Sequence, residues 1–290
     1  MNKILKRLFK SSKVKNYYIA VLAIFLGTIS LTSSAEKLET HTQKNLEKKV
    51  RVMSNVGLAM PTVLATRGKL IIDDHGSGDR GGELIRDLGN GVGLKTVLGI
   101  WERSENDSKV WRSTWVDGHP PVASYKGVHA NNLIVEITFR YGEVVDPSQS
   151  QFMRIAADQR PQINGHIVSA WSNPNSDYTK TGFLLEHVSA KTDQNDDNSR
   201  KIILDHQPLI SDANTWYTAI LEIVGDEALF RMGNHIAYAK SDKITIPKNM
   251  VSITLGTTWH EIKRVRIWHA EANPDWKSAR KDVIGSRKRQ

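Results

Sequence analysis

The chain of 290 residues contains no cysteine. That absence excludes disulfides, a thiol nucleophile, a zinc–thiolate centre and a lipid-attachment cysteine, and it leaves stability to an apolar core. Long apolar runs are also missing: residues 17–31 form an apolar stretch shorter than the roughly 20 residues of a membrane-spanning helix. Acidic residues are absent from the first 35 positions, where Lys3, Lys6, Arg7, Lys10, Lys13 and Lys15 precede that stretch and Ser33-Ser34-Ala35 closes it. A basic leader, a short apolar core and a small-residue step predict a signal peptide over residues 1–35. They imply export to the periplasm or the exterior, with no stable membrane anchor after cleavage.

The leader changes what the charge means. Forty basic residues less the six of the leader leave 34 against 31 acidic ones, so the remainder carries +3. Setting aside the basic end as well (Lys277, Arg280, Lys281, Arg287, Lys288 and Arg289 against Asp282) leaves 28 basic and 30 acidic residues, or −2. The basic excess sits at the two ends, and no nucleic-acid partner is expected.

What the chain does have is period-two alternation. Residues 36–60 are charged and carry no apolar stripe, which predicts a linker. Residues 61–272 then show many short strand-like runs: 68–74, 97–101, 110–115, 132–141, 152–157, 165–171, 182–188 and 201–204. The clearest region follows. Trp216–Val224 stops at Gly225-Asp226, Glu227–Met232 stops at Gly233-Asn234, and His235–Lys240 comes next. Two-residue glycine steps between such runs are hairpin signals. Residues 250–255 and 262–270 close an antiparallel meander. The prediction is an all-β jelly-roll sandwich with one buried face per strand. In residues 273–290, Asn273 is the predicted N-cap of a short helix, Pro274 its first residue, and Gly285 its end.

Several of these segments together resemble a known group. They are Asn214-Thr215-Trp216-Tyr217, Leu221-Glu222-Ile223, Gly225-Asp226-Glu227, Val265-Arg266-Ile267-Trp268 and Asn273-Pro274-Asp275-Trp276. With Gly68-Lys69-Leu70, Asp73-Asp74 and His119-Pro120-Pro121-Val122, they resemble the 3-keto-disaccharide hydrolase-like domains of the concanavalin A-like lectin/glucanase superfamily. The resemblance implies a sandwich of two curved antiparallel sheets, secretion, and carbohydrate as ligand. It carries no catalytic residue across, and the superfamily's Glu-x-Asp-x-x-Glu motif is absent.

The chemistry is sparsely signalled. Glycoside hydrolysis needs two carboxylates about 5 to 9.5 Å apart, which sequence cannot pair. Glu136 and Glu222 sit in mid-strand and read as carboxylates on a solvated strand face. Glu186-His187 falls on a strand expected on the concave face. Of the eight tryptophans, Trp216, Trp268 and Trp276 read as core or helix clamp. Trp101, Trp111, Trp115 and Trp171 lie beside loops, where an indole face can dock a sugar ring. The candidate carbohydrate-binding residues are therefore Trp101, Trp111, Trp115, Trp171, Glu186 and His187, and no catalytic residue is assigned. Asp73, Asp74, His75 and Asp79, or Asp193, Asp196 and Asp197, offer oxygens for a structural calcium ion without completing a calcium-loop spacing. No other cofactor is expected, and no histidine pair has metal spacing. Two function classes stand: a carbohydrate-active enzyme, and a non-catalytic binding or structural module.

Overall fold

Strands whose residues alternate between apolar and polar can bury one face only by stacking against a second sheet. This chain does so throughout. The computed structural model describes residues 59–75, 85–87, 93–116, 118–160, 165–189 and 200–287. The signal peptide and nearly all of the linker expected from the sequence lie outside these residues.

The first half contains β1 (Ala65–Asp74), β2 (Ile85–Asp87), β3 (Gly93–Leu98), β4 (Ile100–Ser104), β5 (Asp107–Thr114), β6 (Val122–Ala130) and β7 (Leu133–Tyr141). Then come β8 (Met153–Asp158), β9 (His166–Asn173), β10 (Gly182–Val188), β11 (Lys201–Gln207) and β12 (Trp216–Val224). The chain finishes with β13 (Glu227–Met232), β14 (His235–Lys240), β15 (Lys248–Leu255), β16 (His260–Ala272) and a helix, α1 (Trp276–Gly285). Sheet 1 has the order β14-β13-β12-β7-β16-β5-β4, with β1 also paired to β16. Sheet 2 has the order β11-β10-β9-β8-β15-β6-β3-β2. All pairings are antiparallel. The result is a jelly-roll β-sandwich with a short C-terminal helix, as the alternation predicted.

The main core lies between the sheets. Leu133, Val135, Ile137 and Phe139 of β7 meet Met153, Ile155, Val251, Ile253 and Phe183 from sheet 2, all buried. Phe183 and Phe230 stack across the gap with centroids 4.2 Å apart. The two glycine steps are turns as expected, with Gly225 and Gly233 both at φ 57°, a left-handed value that a side chain opposes.

Local differences from the sequence reading have local causes. The run at 97–101 is two strands, because Gly99 at φ 82° breaks it between β3 and β4. The strand β6 was not expected, since Lys126, Gly127 and His129 interrupt its alternation. The N-cap of α1 is Asp275 rather than Asn273. Asn273 instead accepts from the Asp275 amide at 3.0 Å, shaping the turn that leads into the helix.

Candidate functional site

Each sheet also has an outer face, and the two differ. On sheet 1, the stretch just before β1 lies across the strands. The amide of Met60 donates to Glu136 at 2.7 Å, and those of Val63 and Ala65 donate to Glu222 at 2.8 and 3.0 Å. Arg67 and Arg266 complete Glu136, and Arg231 completes Glu222 at 2.8 Å. Glu261 accepts from Ser104 at 2.6 Å, from Arg112 at 3.0 Å and from Arg140. These three glutamates are buried with both oxygens occupied. Glu136 and Glu222 therefore do not lie on a solvated strand face, contrary to the sequence reading, because residues 60–65 cover them. Helix α1 adds Trp276, packed on Leu64 and Leu229, with its Nε1–H donating to Glu227 at 3.2 Å.

The outer face of sheet 2 is organised around Arg154. Register places Arg154 of β8 between Trp171 of β9 and Thr254 of β15. One step along, Ser169 pairs with Glu186 of β10 and with Ala156. These positions alternate with core-facing Met153, Ile155, Ala170 and Leu185, so period two sets them on the opposite side. Phe152, Trp171 and Leu184 form an apolar patch there, with Tyr178 against Phe152 at 5.5 Å.

A β-bulge brings in one more side chain. Between Glu186 and Val188 of β10, β9 runs from Ser169 back to His166, one residue extra. Ile167 and Val168 both enter the core, and His166 comes out beside Ser169. Bulges re-aim side chains in this way. The Nδ1–H of His166 donates to Asp158 at 3.0 Å, while Nε2 accepts from Arg154 at 3.2 Å. Arg154 also donates to Thr254 at 2.8 Å and lies over the Trp171 ring at 5.0 Å. Burial lowers the pKa of His166 and that of Arg154; for the histidine, the adjacent guanidinium adds to the effect.

This face is left incomplete. Trp171 Nε1, Ser169 Oγ, Glu186 Oε1 and Arg154 Nε are buried without a hydrogen-bond partner. The other oxygen of Glu186 accepts from Thr179 at 2.7 Å. A buried polar atom left unpaired costs about 1–3 kcal/mol, so such atoms are few in folded proteins and call for an explanation. Sheet 1 has orphaned atoms too: on its outer face the Nε atoms of Arg67, Arg231 and Arg266, whose terminal nitrogens are ion-paired, and elsewhere Ser113 Oγ on β5 and His260 Nε2 on β16. Among the described residues, the outer face of sheet 2 differs in that an indole N–H, a hydroxyl and a carboxylate oxygen lie unmatched on it together.

Of the residues expected at the site, Trp171 and Glu186 come together. His187 does not join them: it is buried, and its Nδ1–H donates to the Ile167 carbonyl at the bulge at 3.0 Å. Trp101 and Trp111 are core residues, each 1 % exposed, because β4 and β5 turn them toward sheet 2. Trp115, 40 % exposed, stands beyond the end of β5 in sheet 1, away from Arg154. The sequence reading missed Arg154, Asp158, Ser169 and Thr254, and noted His166 only for its lack of metal spacing. A visible signal was an arginine alternating with apolar residues in Met153-Arg154-Ile155.

Two of the acids offered for a structural calcium ion lie among the described residues and have protein partners. Asp73 is engaged by Arg264 at 2.7 Å, and Asp74 accepts from Tyr125 at 2.9 Å. Asp79, Asp193, Asp196 and Asp197 lie outside the described residues. Among the described residues, no group of three or more histidines and acids could hold a metal ion.

No protein-family model matches the chain. No curated protein matches its sequence. Solved structures do show likeness in architecture. The carbohydrate-binding module CBM66 from Bacillus subtilis is similar over 61 % of this chain and 92 % of its own, at 10 % identity and TM-score 0.37. A tetrameric galectin from the ball sponge Cinachyrella sp. is similar over 51 % of this chain and 100 % of its own, at 9 % identity and TM-score 0.38. The exoplasmic/lumenal domain of VIP36 in its Ca2+/Man-bound form is similar over 61 % and 87 %, at 10 % identity and TM-score 0.39. At these identities no residue of those proteins is carried onto this chain.

Proposed function

We propose that the chain is an exported carbohydrate-binding β-sandwich that takes its ligand on the outer face of sheet 2. The observation that supports this reading most is the group of unmatched polar atoms beside an aromatic patch: Trp171 Nε1, Ser169 Oγ, Glu186 Oε1 and Arg154 Nε. Two of these are obligate donors, one is an obligate acceptor, and the hydroxyl can be either. Sugar hydroxyls both donate and accept, and sugar C–H faces pack on aromatic rings. Sugar hydroxyls match the demands of all four atoms, and because Phe152, Trp171 and Leu184 are 1 %, 4 % and 0 % exposed, a saccharide reaches them by displacing what covers this face.

A glycan-array screen of the purified protein, followed by calorimetry on the retained sugars, tests the proposal. Wild type is expected to bind with a Kd of roughly micromolar to millimolar, and Glu186→Gln to weaken it about tenfold, the equivalent of 1.4 kcal/mol. Retention by the array of the Glu186→Gln variant at wild-type strength would refute this site.

A second reading, hydrolysis of a keto-disaccharide, draws on one observation: Asp158 and Glu186 are two carboxylates on the same face. Product release from 3-keto-disaccharides, abolished in Asp158→Asn and Glu186→Gln, is its test; release that persists in both variants removes it. The export reading rests on the basic leader and small-residue step of residues 1–35. N-terminal sequencing of the protein recovered outside the cytoplasm should begin at or near Glu36.

A further inference from the structure

Arg154 is the centre of this face, and what holds it is a histidine. Its guanidinium has three neighbours with different demands. The Thr254 hydroxyl accepts one N–H at 2.8 Å, the Trp171 ring offers its face at 5.0 Å, and His166 Nε2 faces another N–H at 3.2 Å. The last contact constrains the imidazole. A guanidinium only donates, so Nε2 must carry a lone pair. A carboxylate only accepts, so the Nδ1 that lies 3.0 and 3.1 Å from the two oxygens of Asp158 must carry the proton. One neutral tautomer meets both conditions, and the imidazolium does not. A proton on Nε2 would set two donors against each other.

The bulge in β9 makes this arrangement possible, since strict alternation from Ser169 would turn His166, three residues back, toward the core. Among the described residues, three charged groups act on His166. Arg154 and Arg160 oppose its protonation, whereas Asp158 favours it. The paired position on β10 is Val188, and β15 places Met250 opposite Asp158. Glu186 favours the charged form of Arg154.

We propose that His166 is the positioning residue of the sugar-binding face: as a neutral Nδ1–H tautomer it locks Arg154 in place, and its protonation releases that arginine and the ligand with it. This rests on the binding reading above. Arg154 Nε, Trp171 Nε1 and Glu186 Oε1 can be read by one saccharide only while the guanidinium stays in register between Thr254 and His166. Acid therefore acts on binding without touching a group that itself contacts the sugar.

The lock can be tested without a ligand. Imidazole 15N–1H correlation spectra of the full chain are expected to show the Nδ1–H form of His166, titrating below the ordinary 6.5. The Arg154 Nε–H resonance should move with the same midpoint, and in His166→Gln it should not move with pH. Glutamine can accept from Arg154 and donate to Asp158, so it keeps the contacts without the titration. An Nε2–H tautomer, or an Arg154 signal indifferent to the histidine, would overturn the proposal.

With a saccharide from the array, wild-type affinity should fall at least about tenfold through that midpoint, a loss of 1.4 kcal/mol. His166→Gln should stay within about threefold of wild type at pH 7.5 and lose its pH dependence. Binding that is equally pH-dependent in both proteins also refutes the lock. If no saccharide binds at any pH while the resonances remain coupled, the binding reading is what has failed, and the coupling stands on the spectra alone.

Discussion

Sheet 1 and sheet 2 each carry glutamates flanked by core-facing residues on an outer face, and the two faces treat them oppositely. Glu136, Glu222 and Glu261 on sheet 1 are met at every oxygen by arginines, by Ser104, or by the amides of residues 60–65. Glu186 on sheet 2 has one oxygen on Thr179 and the other on nothing. The lesson is that a buried carboxylate says little by itself. Its unmatched lone pairs are what point to a ligand.

The largest expected effect comes from breaking the saturated side. Glu261→Ala leaves Arg112 and Arg140 without their shared anion, and losing one partner of a buried pair costs about 3–5 kcal/mol. Urea unfolding should register that loss with saccharide affinity per folded molecule unchanged. A loss below about 1 kcal/mol would show that this ion-pair network is not structural.

Acid tests the interior between the faces. His260 is fully buried on β16, its Nδ1–H bonded to the Thr258 carbonyl at 2.9 Å, and burial pushes its pKa down to about 4. The stability it contributes is complete above the ordinary 6.5 and is lost as pH falls toward 4. That interval corresponds to about 3 kcal/mol. Thermal melts from pH 7 to 4 should show a loss of this order in wild type and a smaller one in His260→Gln. Equal losses would remove His260 as the source.

Breaking the unsaturated side should separate function from stability. Glu186→Gln keeps the acceptor for Thr179, so unfolding free energy should change by less than about 1 kcal/mol while sugar affinity drops about tenfold. A large stability loss with intact binding would make Glu186 the equivalent of Glu261 and erase the contrast. The smallest effect is reserved for Trp115→Ala. That side chain is exposed and, among the described residues, its indole N–H makes a long contact, 3.4 Å to the Gly118 carbonyl, so stability should shift within about 0.5 kcal/mol. Binding should not change; a loss of binding on calorimetry would move the site toward the end of β5.

The contrast also shows what a sequence can express. The meander from Trp216 to Lys240 was legible to the residue, since Gly225 and Gly233 mark its turns and the strands between them alternate cleanly. Of the site proposed above, the sequence reading names Trp171 and Glu186 but not Arg154 or the re-aimed His166. Val135-Glu136-Ile137, Leu221-Glu222-Ile223 and Leu185-Glu186-His187 look alike in one dimension. Their fates differ because the amides that saturate the first two come from 76 and 159 residues away. A bulge is equally hidden, because it is a mismatch between two strands and belongs to neither alone.

The pairing of β1 with β16, Ala65 opposite Ala272 and Asp74 opposite Val265, sets an order on assembly. Among the described residues β1 has β16 as its strand partner, so its pairing requires loop closure across nearly the entire domain and completes sheet 1 late. Nascent chains that stop short of residue 260 should therefore stay open to protease. A polypeptide built this way remains threadable for as long as its last ribbon is withheld.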